Sequence, residues 1–543
     1  MTDAPNVVHL NNRRARDDNE KARAGELPED PMEDAVRIWT PKPTILVSAD
    51  EQAMADAAIK ALAGGADVYQ RAGTLVDVTR DVRPPSFLER PAGSPSIRVL
   101  PAARLRELIA ASATIEKVDR RSGATVRAHV PQWLVGAVGA RGEWPGIRPL
   151  AGVTEYPVMR PDGTVLERPG YDAATGLVLE PTATFPRVPA SPSREHAIAA
   201  ARELLEFVAD FPFASDAHRS AWLTIPLTLV ARPAIPDCTP LVLIDANTPG
   251  AGKTLLAEVG VAMVTGRPLP RMTQAAADEE TRKRITSLAI AGESVTLVDN
   301  VAGALGGPSL DAALTSTEWT DRALGENRQI KVPLRMVWIA TGNNATLAGD
   351  LLRRTLHVRL EARTERPEER SGFRYSLPGD VFKHRPRLAV AALTIVRAYL
   401  AAGCPDVGLR PWGSFEAWSR IVRGAIVWAD LPDPADTRLG LADGADTAGV
   451  AMHALLDALE PHAATPKQIT AAELQKTLAD DPCLEAALSE LIDAKLTPRT
   501  IGKLLQRMKG RVFNSRAIMQ ATAKGRSGVR WTVQSVTTAG GGA

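Results

Sequence analysis

The stretch Leu241–Gly260, LVLIDANTPGAGKTLLAEVG, constrains this chain more than any other. Leu241 to Ile244, with Asp245, have β-type character; a Pro/Gly loop follows, and a helical pattern begins at Lys253. Strand, tight loop and helix in that order turn consecutive backbone N–H groups inward, and the helix dipole adds partial positive charge where an anion would sit. Asn247, Thr248, Pro249, Gly250, Ala251 and Gly252 are therefore the candidate cradle of a nucleotide. Lys253 would reach the β- and γ-phosphates and Thr254 would ligate Mg²⁺, so the expected cofactors are ATP and Mg²⁺. Asn247 stands where the usual first glycine is missing; Asn tolerates the left-handed conformation better than any β-branched residue, which keeps the loop possible.

The text after the loop alternates helix and strand. A helix over Thr254–Thr265, a strand over Arg271–Ala275, a helix over Asp278–Ala291 and the strand SVTLVDN come first. A helix near Leu310–Ser316, a hairpin across Glu326-Asn327, the strand LRMVWIATGNN, a short helix and the strand TLHVRLEA follow. Near-continuous apolar strands alternating with helices imply a parallel sheet buried on both faces, and an α/β fold class.

The chemistry collects at the ends of those strands. Asp299 closes the run VTLVDN, where a carboxylate can hold Mg²⁺ through water. The glutamate expected next is replaced by Asn300, which cannot act as a general base. Either ATP is bound without turnover or another carboxylate serves, and Glu280, beside Glu279 just past the neighbouring strand, is the candidate; both also suit a helix start. Asn343 of TGNN can hydrogen-bond the γ-phosphate or the attacking water. Arg353 and Arg354 in GDLLRR precede the last strand; in an oligomeric ring, an arginine there reaches a neighbour's γ-phosphate and stabilises transition-state charge.

Taken together, NTPGAGKT, VTLVDN, TGNN and GDLLRR resemble the ATPase core of AAA+ and superfamily-three helicases of phages, plasmids and other mobile elements. RPDGTVLERPGYDAATGLVLEP and ERPEERSGFRY also resemble parts of mobile-element helicases, and the similarity covers roughly residues 150–440. The resemblance implies a ring, a hexamer, and a hairpin within LTSTEWTDRALGENRQIKV that projects into a DNA channel. Arg322, Arg328 and Lys331 are then candidates for phosphate contacts. A separate primase or polymerase is an implied partner.

The C-terminal stretch speaks for DNA independently. Between Lys495 and Trp531 stand ten basic residues and no Asp or Glu. In TPRTIGKLLQRMKG, Ile501, Leu504, Leu505 and Met508 fall at helical spacing, while Arg499, Lys503 and Arg507 repeat on another face. Two shorter helical stretches before it, and a strand–turn–strand after it carrying Arg526 and Arg530, make a winged-helix pattern.

These features divide the chain into a disordered leader (1–41), a small α/β domain (42–185), a helical lead-in (190–235), a P-loop NTPase core (236–365), a helical lid (366–462) and a winged helix (466–537). In the lid, Phe415, Trp418 and Trp428 read as packing rather than a ligand cage. Three scattered cysteines, Cys238, Cys404 and Cys483, form no CxxC pair. That, with no apolar signal core and no membrane span, points to a reduced, cytoplasmic setting without a zinc site. The function expected is an ATP-dependent ring-forming DNA helicase or translocase for mobile-element replication. The alternative is an AAA+ initiator or helicase-loader switch that binds ATP and DNA without unwinding; a small-molecule kinase fits the basic C-terminal module poorly.

Overall fold

The computed structural model describes residues 42–80, 95–275, 277–322, 329–364, 366–438, 447–465, 467–492, 495–510, 512–513, 516–521 and 529–535. Two compact units are present, one of 42–66 with 103–138, the other of 67–102 with the chain from 139 onward. The stretch read as one small domain over 42–185 is thus divided between them. The leader lies outside the described residues.

In the first unit, Thr44–Leu46 pairs in parallel with Thr114–Val118, which pairs antiparallel with Thr125–Arg127. Helix Glu51–Ala63 starts where Asp50 accepts the Ala53 N–H, and it turns Met54, Ala58, Ile59 and Leu62 inward.

The second unit is organised around a five-stranded sheet. Helix α1 (Asp216–Ala231) leads into strand β1 (Leu241–Ala246), then helix α2 (Lys253–Thr265), β2 (Arg271–Thr273), α3 (Asp278–Ala291) and β3 (Val295–Val301). The separate hairpin β4 (Glu318–Arg322) and β5 (Gln329–Pro333) follows, and β6 (Val337–Asn343) and β7 (Thr355–Leu360) complete the sheet. The order across the sheet is β2-β3-β6-β1-β7, all parallel. Every residue of β1 is buried because alternate side chains enter different cores. Val242, Ile244 and Ala246 join α2, while Leu241 and Leu243 join Trp338 and Ala340 on the other face. The hairpin pairs Glu318–Arg322 with Gln329–Pro333, and its turn lies outside the described residues.

Helix α1 packs closely on α2. A Cβ on Gly260 would stand 3.1 Å from Trp222 Nε1, and that indole N–H donates to the Leu256 carbonyl at 2.9 Å. Helix α4 (Gly379–Ala401) covers the same face. Its buried Arg385 donates to the Val264 and Glu155 carbonyls and to Thr182 Oγ1. Phe415 and Trp418 are fully buried in this core, and Trp418 Nε1 donates to Thr228 Oγ1, so they pack as expected.

Toward the C-terminus, helices Ala471–Thr477, Pro482–Leu491 and α5 (Pro498–Met508) precede the strands Arg516–Gln520 and Arg530–Ser535. A four-stranded sheet forms with Ile469–Thr470 and Val512–Phe513 at its edges. Ile501, Leu504 and Leu505 of α5 bury against Leu474, Leu488 and Trp531, which leaves Arg499 and Lys503 exposed.

Candidate nucleotide site

The loop between β1 and α2 takes its shape from Gly250 and Gly252, both left-handed at φ 77° and 88°. Neither tolerates a side chain: a Cβ on Gly250 would lie 2.6 Å from Glu368 Oε2, and one on Gly252 would lie 3.0 Å from the Phe211 ring. Asn247 has a different task from the left-handed turn expected of it. It is not among the positive-φ residues. Its side chain donates to the Ala362 carbonyl and accepts the Ala362 N–H, both at 3.1 Å, anchoring the loop to the segment after β7. A glycine cannot make that pair of bonds. Helix α2 opens without a side-chain cap, so its first-turn N–H groups have no side-chain acceptor and suit an anion.

Lys253 and Asn343 meet at this mouth, the amine donating to Asn343 Oδ1 at 2.5 Å. Strand register brings them together, since Ala246 at the end of β1 pairs with Asn343 at the end of β6. With its oxygen on Lys253, the Asn343 amide keeps its N–H groups for an anion or a water. Burial pulls the Lys253 ammonium below the usual lysine range, against the opposing charges of Asp245 and Asp299.

One carboxylate oxygen gathers the other partners. Thr254 Oγ1 donates to Asp299 Oδ1 at 2.9 Å, and Thr341 Oγ1 donates to the same oxygen at 2.6 Å. A hydroxyl beside a carboxylate, with phosphate oxygens expected nearby, is the oxygen-rich and protein-sparse set that Mg²⁺ accepts. No group of three or more His, Cys, Asp or Glu able to hold a metal occurs among the described residues, so an all-protein metal cage does not compete with this arrangement. Thr341 escaped the sequence analysis. Its one signal was a hydroxyl in an apolar strand two residues before Asn343.

Thr341 Oγ1 also accepts the Asn300 N–H at 2.9 Å. Asn300 is left-handed, φ 54°, at a register shift between Val298 and Val301. Asn is among the few side chains that adopt this conformation readily, which is a backbone reason for its presence where a glutamate was expected. Glu280 does not fill the gap in this conformation. It lies in the first turn of α3 and accepts from Arg284 Nε at 3.1 Å, while Glu279 pairs with Lys283 at 2.9 Å. The strand adjacency behind the expectation does hold, with Thr273 opposite Asp299.

Arg353 and Arg354 end a 3₁₀ turn over Gly349–Arg354. The Arg354 side chain is 12 % exposed and is held by Asp350 and by the Asp311 carbonyl. That of Arg353 is 64 % exposed and meets Asp350 twice, Nη2 on Oδ2 at 2.6 Å and Nε on Oδ1. Of the two, only Arg353 presents its guanidinium to the surface.

On the hairpin, Arg322 is exposed and Lys331 pairs with Glu318 at 2.8 Å; Arg328 lies outside the described residues. Arg526 and the side chain of Arg507 also lie outside them. Arg530 is half-buried, donating to the Gln468 carbonyl at 3.1 Å and standing 3.5 Å from Glu473.

A second polar cluster backs the site on the opposite face of the sheet from α2. Arg359 of β7 donates to Asp245 Oδ2 at 2.5 Å and to Asn344 Oδ1 at 2.9 Å, while the Ala345 N–H reaches Asp245 Oδ1 at 3.2 Å. Burial raises the Asp245 carboxyl, but the nearby His357 ring, the bond from the Ala345 amide and the charge of Arg359 outweigh it and hold the group below its ordinary range. Arg359 thereby ties the last residues of the loop strand to the residue after Asn343. The signal in the sequence was a lone acid, Asp245, ending an apolar strand.

No family model matches the chain, and no curated protein matches it. Among solved structures, the C-terminal region of NrS-1 aligns over 84 % of this chain and 96 % of its own length, at 11 % identity and a TM-score of 0.34. The SCCmec type IV Cch helicase aligns over 73 % and 82 %, at 13 % identity and a TM-score of 0.27. The JCV helicase aligns over 47 % and 74 %, at 13 % identity and a TM-score of 0.21. Identities and TM-scores this low leave the site to its own geometry.

Proposed function

We propose that this chain is an ATPase that assembles as a ring, a hexamer, and moves along DNA as a helicase or translocase in mobile-element replication. The observation that carries the nucleotide chemistry is the convergence of Lys253, Thr254, Asp299, Thr341 and Asn343 at one mouth of a parallel sheet. The uncapped start of α2 and Lys253 would hold the phosphates, and Thr254 with Asp299 would hold Mg²⁺. A bound Mg²⁺ supplies charge neutralisation on the phosphate oxygens. Asn343 orients the attacking water or the γ-phosphate. Arg353 is the better placed of the pair to act on a neighbouring subunit's nucleotide. Arg322 and Lys331 on the hairpin, with Arg499 and Lys503 on α5 of a winged-helix module, are the proposed DNA contacts; a primase or polymerase is the proposed partner class.

The test is ATP turnover with and without a forked DNA, together with strand displacement. Stimulated turnover with displacement supports the helicase. A second reading, an initiator or loader that uses ATP to assemble on DNA without unwinding, is favoured by two observations: Asn300 supplies no base, and the Glu280 carboxylate is taken by Arg284. Turnover without displacement selects that reading. Failure to bind ATP removes both.

A further inference from the structure

At the N-terminal ends of the same strands, remote in the sheet from the phosphate loop, lies a cleft of about 440 Å³. Its position follows from its lining: Arg232 and Pro233 precede β1, Ser294 precedes β3, and Arg335 precedes β6. Val153, Val158, Leu177 and Leu229 give it apolar walls, and its volume is within the range of small-molecule pockets.

Three guanidinium groups line it, and they differ in how their charge is met. Arg71 is 6 % exposed and donates to the carbonyls of Leu150, Ala151 and Ala289, the last at the C-terminal turn of α3. That is a structural arginine capping a helix end. Arg232 is 7 % exposed, yet its one hydrogen bond goes to the Ile235 carbonyl at 2.8 Å, and its Nε has no partner. Burial first, and then the nearby charge of Arg335, draw its pKa down to about 10, while Cys238 and Asp237 oppose the shift only through space. The carboxylates lining the cleft do not meet it. Glu318 is taken by Lys331, and Glu293 is not among the charges acting on Arg232. Arg335 is exposed and forms no ion pair among the described residues.

A buried charge without an ion-pair partner is costly, and two like charges on one wall add to the cost. An anion between them would lower both terms. We propose that this cleft is a second ligand site, distinct from the nucleotide loop, which takes a small molecule with a phosphate or carboxylate head and an apolar body. Arg232 and Arg335 hold the head and the apolar walls hold the body. Because Thr317, Glu318 and Pro333 at the root of the β4–β5 hairpin also line the cleft, its occupant would touch the base of that hairpin.

The test uses the full chain carrying Lys253→Ala, which disables the phosphate loop, and titrates phenyl phosphate, benzoate and benzyl alcohol by calorimetry and thermal unfolding. Saturable binding of an anion, with benzyl alcohol inert, is expected, and whichever anion binds identifies the head group. Arg335→Ala, at an exposed position, should weaken it about tenfold, the size of one charge-assisted contact. Arg232→Met should abolish it while leaving the unliganded protein at least as heat-stable. No saturable anion binding, equal binding of benzyl alcohol, or affinity unchanged by Arg335→Ala would overturn the proposal, whether or not the Arg232 variant folds.

Discussion

The ammonium of Lys253 rests on the side-chain oxygen of Asn343 at 2.5 Å, although 90 residues of chain separate them. Parallel pairing of β1 with β6 makes the contact, and it joins the residue that would grip the phosphates to the one that would orient water. Lys253→Ala should remove nucleotide binding, measured with a fluorescent ATP analogue. Asn343→Ala should leave binding within a few-fold and lower kcat by about 10²-fold, the scale of one preorganised polar group. Equal losses in affinity and rate in both variants would contradict this division of labour.

Asp299 receives two hydroxyl donors on one oxygen. Asp299→Asn should raise the Mg²⁺ concentration needed for half-maximal turnover at least tenfold, because the neutral amide loses the charge that a hard cation needs. Thr341→Val should shift the same titration in the same direction by less, since it only removes a bond that orients the carboxylate. A Mg²⁺ titration of ATPase rate reads both. An unmoved midpoint in Asp299→Asn would place the metal elsewhere.

His218 predicts a pH signature of stability. Burial draws its pKa down to about 4, the His357 carbonyl opposing the shift, and its Nδ1 accepts the Arg359 N–H at 3.1 Å. The unfolded chain takes up that proton near the ordinary pKa of about 6.5. Between those values the unfolded state binds more protons, so stability is full above the upper one and declines as pH falls toward the lower. Asp245, also held below its ordinary value, loses its contribution only at more acid pH. Thermal unfolding from pH 7.5 to 4.5 should show a slope that flattens in His218→Gln; an unchanged slope would mean that His218 is protonated in the fold.

DNA contacts are read from salt dependence. Each lost phosphate contact should reduce the slope of log affinity against log salt by about 0.7 to 0.9. Arg499→Ala with Lys503→Ala should lower that slope by about two contacts, measured by fluorescence anisotropy. Arg530→Ala should leave it nearly unchanged, because Gln468 and Glu473 already occupy that guanidinium. An equal effect at Arg530 would show that its pairing with Gln468 and Glu473 breaks when DNA binds.

The local text carried much of the framework. The helix Asp278–Ala291, the strand that carries Asp299 and the alternating strands of a parallel sheet all stand where their patterns put them. Side-chain periodicity reports which faces are buried, and burial was enough to imply the architecture. Less was legible in the site. Asn247 and Asn300 looked like defects in nucleotide motifs, yet one is an anchor to Ala362 and the other a left-handed residue at a bulge.

By itself, then, the sequence determined a phosphate-shaped loop between a strand and a helix, because that geometry is made by neighbours in the chain through backbone bonds and glycine torsions. Only the tertiary structure decided who attends the loop. Thr341 and Thr254 on one oxygen of Asp299, Arg359 on Asp245, and Glu280 turned to Arg284 depend on strand order and register, which bring distant residues within hydrogen-bond length. No pattern along a single segment encodes those distances.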